Sequence, residues 1–95
     1  MAAEVVLYTT AYCYYCVRAR ALLTRRRIAY REVDVTDDEA LHDWLVEATG
    51  GRRKLPQVFI GGAPIGGFRE LAELDRTGAL GALVGGATPP ATPTE

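Results

Sequence analysis

The chain has 95 residues, 48% of them hydrophobic, and a formal net charge of −1. That length supports one domain with one core, and the balanced charge argues against a nucleic acid or a membrane surface as the main partner. No apolar run reaches the roughly 18 residues that a membrane span needs.

The opening MAAEVVLYTT lacks a basic stretch followed by a long apolar one, so no signal peptide is expected and the cytoplasm is the expected compartment. VVLYT, Val5 to Thr9, is a β-branched apolar run and reads as a buried strand. Beyond it Tyr15, Ala19, Leu22 and Leu23 recur at helical spacing with arginines on the other side, which predicts a helix from about Cys13 to Arg26. In IAYREVDV, Val33 and Val35 alternate with Glu32 and Asp34, the period of a second strand. TDDEALHDWLVEATGG is the clearest helix. Thr36 and Glu39 fit a capping box, and Asp37 and Asp38 suit the positive end of the dipole. Leu41, Trp44, Leu45 and Ala48 share its core-facing side, Gly50 is a natural stop, and His42 lies off that side, exposed rather than a ligand or base.

QVFIGGAPIGG reads as two strands joined by a tight hairpin at Gly61-Gly62, with Pro64 marking the second as an edge strand. FRELAELDRTG closes as a helix that buries Leu71 and Leu74 and ends at Gly78, and ALGALV adds a last turn. From Gly85 onward GGATPPATPTE reads as disordered, giving a domain over residues 1–84 and a tail over 85–95. The order is β-α-β-α-β-β-α, with no repeat and no internal linker. Charge is uneven along it. Arg18, Arg20, Arg25, Arg26, Arg27 and Arg31 make the early part basic, and Asp34, Asp37, Asp38, Glu39, Asp43 and Glu47 make the next part acidic. Solvated helix faces account for both runs; the alternative is a basic rim that steers anionic substrates.

Cys13 and Cys16, in AYCYYC, are the two cysteines of the chain. A structural zinc ion wants four ligands, and beyond this pair the chain offers a single histidine, His42, in the wrong context. A structural bridge here would close too short a loop to constrain much of the unfolded chain, and a reducing compartment would not preserve it. Redox chemistry remains. A CxxC that follows the first strand and opens a helix, near a βαβ pattern, is the arrangement such chemistry uses. Unpaired N–H groups and the dipole at a helix start favour a thiolate, the attacking species in thiol–disulfide exchange. Cys13, at the tip, is the expected nucleophile. Cys16, one turn further in, is the expected resolving thiol. KLPQVFI adds a proline just before a strand. Such bonds are cis in only about 5% of cases, but a cis-proline beside a CxxC would leave the carbonyl and N–H of Leu55 facing the thiol, where an extended peptide could dock.

Taken together, YTTAYCYYCVRARALL, LPQVFIGGAPIGG and FREL resemble a bacterial dithiol glutaredoxin from Val5 to about Val84. The resemblance implies a thioredoxin-like fold, a four-stranded mixed sheet flanked by helices, with Pro56 cis. It implies a monomer without metal, with glutathione as reductant and glutathionylated or disulfide-containing proteins as substrates. Cys13 would take the glutathionyl group and a second glutathione would free it; for protein disulfides Cys16 would resolve the intermediate. Carried over by position, Tyr15 lies along the tripeptide. Leu55, before Pro56, pairs with its cysteine, Gly67 and Phe68 meet the γ-glutamyl end, and Arg52 meets the glycine carboxylate.

The sequence departs from the family pattern at several positions. Tyr14 stands where proline is common, and Thr10 where a lysine is often found, with Arg53 and Lys54 as substitutes. Phe68-Arg69-Glu70 replaces small polar or acidic residues, leaving Glu70 as a candidate for the γ-glutamyl amine and Arg69 for a carboxylate. Two alternatives stay open. Members without that proline can hold a [2Fe-2S] cluster between two subunits with glutathione, although Tyr14 is bulky. GGFRE also resembles, more faintly, the GFRP stretch of glutaredoxin-like hydrogen donors of ribonucleotide reductase, which thioredoxin reductase reduces; the tyrosine-rich CxxC and Arg52, Arg53 and Lys54 favour glutathione.

Overall fold

The structure is a computed structural model and describes residues 3–11 and 13–85. Strand β1 (Val5–Thr9) leads into helix α1 (Tyr14–Arg25), strand β2 (Arg31–Asp34) and helix α2 (Glu39–Ala48). Strands β3 (Gln57–Ile60) and β4 (Ala63–Gly66) follow, then helices α3 (Phe68–Thr77) and α4 (Ala79–Gly85). The sheet order is β2-β1-β3-β4, with β1 and β2 parallel and the other two pairings antiparallel. This is the four-stranded mixed sheet flanked by helices that the resemblance implies, with ALGALV forming a separate fourth helix. Of the expected disordered tail, residues 85–95, Gly85 ends α4 and the rest lies outside the described residues.

Strand alternation divides the core into two layers. Val5, Leu7, Val58 and Ile60 face α1, α3 and α4, where Ala19, Leu22, Leu23, Leu71 and Leu80 cover them. Val6 and Phe59 point the other way and pack with Val35 and Leu45 under α2. Because side chains of β1 and β3 are covered on both faces, these strands read as continuous apolar runs. The hairpin turns on Gly61 (φ 60°) and Gly62 (φ 84°), two left-handed residues that suit the twist of paired strands. Pro64 lies in β4, at the sheet edge, where its missing N–H costs no ladder bond.

Three sequence expectations are corrected. Helix α2 is capped by Asp38, whose Oδ1 accepts the Leu41 N–H at 3.0 Å, and not by Thr36 with Glu39. The Thr36 hydroxyl is engaged elsewhere: it donates to Asp34 and accepts the Ala11 N–H at 2.8 Å. Trp44 is 47% exposed; it sits at the border of the α2 layer, its ring 5.8 Å from Phe59 and 5.9 Å from Tyr8. His42 is half-buried, and its Nε2–H donates to the Arg53 carbonyl at 3.2 Å, tying α2 to the loop before β3.

Candidate active site

The end of β1 delivers the chain to the start of α1, and Cys13 is the N-cap residue of that helix. Its backbone is extended, so the side chain turns back over the first turn and its sulfur accepts the Cys16 N–H at 3.2 Å. An N-cap position normally takes an oxygen acceptor. Here the sulfur fills that role, and the N–H dipole lies against the atom that must carry negative charge in thiol exchange. Cys16 is completely buried, on the inner side of α1 with Ala19, Leu22 and Leu23. Burial, reinforced by its hydrogen bond with Cys13, pushes the Cys16 thiol up to about 12. The two thiols are free in this structure. One is accessible and solvated by a backbone donor; the other is held protonated one turn below it.

The buried side of α1 corrects one expectation. Tyr15 does not belong to it, being 53% exposed, and Cys16 takes the core position instead. The Tyr15 ring stacks on Phe68, with centroids 6.0 Å apart and planes at 30°. This pair bridges the starts of α1 and α3, and Arg18 reinforces it with its guanidinium 4.8 Å from the Phe68 centroid.

The loop before β3 supplies the second wall. The Leu55–Pro56 bond is cis, as the resemblance implies, and the Leu55 carbonyl accepts the Cys13 thiol at 3.5 Å. Gln57, 2% exposed, secures this loop through its Nε2–H to the Lys54 carbonyl at 2.7 Å, a contact that a strand-face glutamine gives no hint of in sequence. The third wall is the turn from β4 into α3. Gly66 has φ 126° and leaves no space for a Cβ, which would lie 2.7 Å from Glu70 Oε1. At Gly67 a Cβ would meet the Pro56 carbonyl at 3.2 Å. Two successive glycines therefore let α3 begin against the proline loop. Glu70 then folds back, and its Oε1 accepts the Gly67 N–H at 2.8 Å.

These walls enclose a groove of about 670 Å³. Tyr15, Arg52, Leu55, Pro56, Gly67, Phe68 and Arg69, the seven residues assigned to a glutathione site by resemblance, all line it. Cys13 stands at its edge, joined to it by the contact with Leu55. Arg52, Lys54, Arg69 and Arg76 line it together with Glu70 and Glu73, an excess of two positive charges. The groove is thus a cationic trough with the Cys13 thiol at its edge. Among the described residues no cluster of side chains suited to a metal ion is found, and no helix is long and apolar enough to cross a membrane.

Comparison with known proteins gives a consistent family. Residues 5–65 match the glutaredoxin family pattern, a span that contains β1, both cysteines, the proline loop and most of the hairpin. A glutaredoxin of Pseudomonas aeruginosa is 39% identical over 80 residues, covering 84% of this chain and 94% of that protein. Glutaredoxin 3 of Escherichia coli is 35% identical over 82 residues, covering 86% of this chain and 98% of that one. Among solved structures, a buckwheat glutaredoxin–glutathione complex superposes with a TM-score of 0.80 at 30% identity, covering 86% of this chain and 76% of that one. A wheat glutaredoxin gives 0.80 at 32% identity, covering 92% and 82%. With the family pattern matched over residues 5–65 and relatives at 39% and 35% identity along most of their length, the chain belongs to the glutaredoxin family and is a thiol–disulfide oxidoreductase.

Proposed function

We propose that this protein uses glutathione to reduce protein–glutathione mixed disulfides and protein disulfides, as a monomer in the reducing environment of the cytoplasm. The observation that carries the reading is the Cys13 thiol against the Leu55 carbonyl at the edge of a trough with an excess of two positive charges. Glutathione carries two carboxylates and one ammonium, so a cationic trough attracts it. The buckwheat relative described as a glutathione complex supports the same assignment.

In the proposed cycle the Cys13 thiolate attacks the glutathionyl sulfur of a mixed disulfide. A bond forms between Cys13 Sγ and that sulfur, the bond to the protein sulfur breaks, and the protein thiolate leaves and takes a proton. A second glutathione thiolate then attacks the same glutathionyl sulfur, releasing Cys13 and oxidised glutathione. With a protein disulfide, Cys13 attacks one sulfur and Cys16, after losing its proton, displaces the protein thiolate by forming the Cys13–Cys16 disulfide. Two glutathione molecules restore the dithiol. Leu55 offers its backbone to the cysteine of the tripeptide, the opening of α3 receives the γ-glutamyl carboxylate, and Arg52 receives the glycine carboxylate.

The test is glutathione-dependent turnover of a glutathionylated peptide by wild type, Cys13→Ser and Cys16→Ser. Activity in wild type and Cys16→Ser with none in Cys13→Ser is the expected pattern. A wild type inactive with glutathione but reduced efficiently by thioredoxin reductase would replace this reading with the hydrogen-donor one.

A further inference from the structure

Every carboxylate lining the groove is already engaged. Glu70 Oε1 accepts the Gly67 N–H at 2.8 Å and lies 3.5 Å from Arg52 Nη2. Glu73 is paired with Arg76 one turn along α3. Both carboxyls are held below the usual carboxylate range, Glu70 first by the Gly67 N–H and Glu73 first by the Arg76 guanidinium. Glu73 has both oxygens on Arg76, and both partners of Glu70 are on its Oε1, which the Gly67 N–H and Arg52 share.

Arg69 is the opposite case. It is exposed, it lines the groove, and it has no acidic partner among the described residues. It is also the second residue of α3, at the end where the helix dipole already favours an anion. The N–H groups of Phe68 and Arg69 open this helix without intrahelical acceptors. A guanidinium beside two free donors suits a carboxylate. The same guanidinium repels a positive charge placed next to that carboxylate, and the γ-glutamyl end of glutathione bears both on one carbon.

We propose that Arg69 makes the α3 end of the groove selective for a carboxylate whose neighbouring nitrogen is uncharged. Thiols with an N-acylated γ-glutamyl end are then bound in preference to glutathione. The proposal rests on the glutathione reading, which fixes that end of the tripeptide at α3. Lys54 on the loop side strengthens the bias, since the groove's net positive charge matches a ligand that keeps two carboxylates and no ammonium. For charges at a solvated rim the expected discrimination is about three- to tenfold.

The experiment is a single-turnover reaction of the reduced protein with one peptide carried in three mixed disulfides: with glutathione, with N-acetylglutathione and with 2-mercaptoethanol. Wild type should react with the N-acetylglutathione conjugate about three- to tenfold faster than with the glutathione conjugate at subsaturating concentration. The difference should lie in the apparent binding constant rather than in the saturated rate. Arg69→Lys should keep the preference and Arg69→Asp should reverse it. Faster reaction of wild type with the free-amine conjugate, or the same ratio in wild type and Arg69→Asp, would overturn the role of Arg69 and leave the glutathione reading standing. If neither tripeptide conjugate outpaces the 2-mercaptoethanol one, the groove does not read glutathione and both conclusions fall.

Discussion

Cys16 links the chemistry of the site to the stability of the fold, and the link can be measured. The perturbation is a rise in pH on the fully reduced protein, with Cys16→Ala as the reference that lacks the ionising group. Burial, with the hydrogen bond that its thiol donates to Cys13, raises this group from 9.0 to about 12 in the folded protein. A group whose pKa is raised by folding contributes stability that is fully present below its unfolded pKa and is lost as pH rises toward its folded one. Between about pH 9 and 12 the unfolded chain gains thiolate while the native one cannot, and each unit is worth about 1.4 kcal/mol. Wild type should therefore lose about 1 kcal/mol by pH 10 and about 2–3 kcal/mol by pH 11 relative to Cys16→Ala, with no relative change between pH 6 and 8. Urea denaturation of both proteins at each pH, under a phosphine reductant, gives the difference directly. Curves that stay parallel through pH 11 would show that Cys16 ionises as easily folded as unfolded, and the argument that burial holds its proton would fail.

Differential alkylation near neutral pH should label Cys13 and spare Cys16, because one sulfur lies at the mouth of the groove and the other is wholly buried; equal labelling would refute the division of roles. Gly66→Ala should cost about 1–3 kcal/mol, since a Cβ at φ 126° would fall 2.7 Å from Glu70 Oε1 and displace the carboxylate that holds the Gly67 N–H. Unchanged denaturation would show that the turn relaxes freely. Leu23→Ala, at a fully buried position between α1 and the sheet, should cost about 2–5 kcal/mol by chemical denaturation. Trp44→Ala should cost less than Leu23→Ala despite the larger side chain, because the indole is 47% exposed and covers the edge of the second layer.

The elements readable in the sequence are those fixed by local periodicity or local turn chemistry. β1 is a β-branched run, the hairpin turns on two glycines, and α3 ends on a left-handed Gly78, so each carries its own signal. What failed depends on choices between near-equivalent local partners. Thr36, Asp37 and Asp38 all can cap a helix, and the winner was decided by Thr36 being drawn to Asp34 and Ala11, a contact across the start of α1. A helical wheel places Trp44 and Tyr15 on inner faces, but the width of each face is set by what packs against it. The narrow α1 face ends at Cys16, and Tyr15 is left to stack on Phe68. Long-range pairs left no trace at all: Arg26 grips Asp75, 49 residues away, and ties the end of α1 to α3.

The site was legible in its chemistry and not in its charge economy. The CxxC and the proline loop announce themselves because their spacing and order are the mechanism: a helix start must sit beside an unpaired carbonyl, and β1 and β3 are adjacent in the sheet. Whether Glu70 is available to a ligand could not be read that way, since a glutamate three residues after glycine is equally a cap and a free acid. The answer comes from Gly66 and Gly67, which let the turn close so tightly that the carboxylate lands on the Gly67 N–H. The same turn leaves Arg69 exposed in the first turn of α3. A substitution at Gly66 should consequently act twice, loosening the turn and returning Glu70 to the groove as a free acid. Its effect on ligand choice should resemble that of Arg69→Asp although residue 69 itself is unchanged.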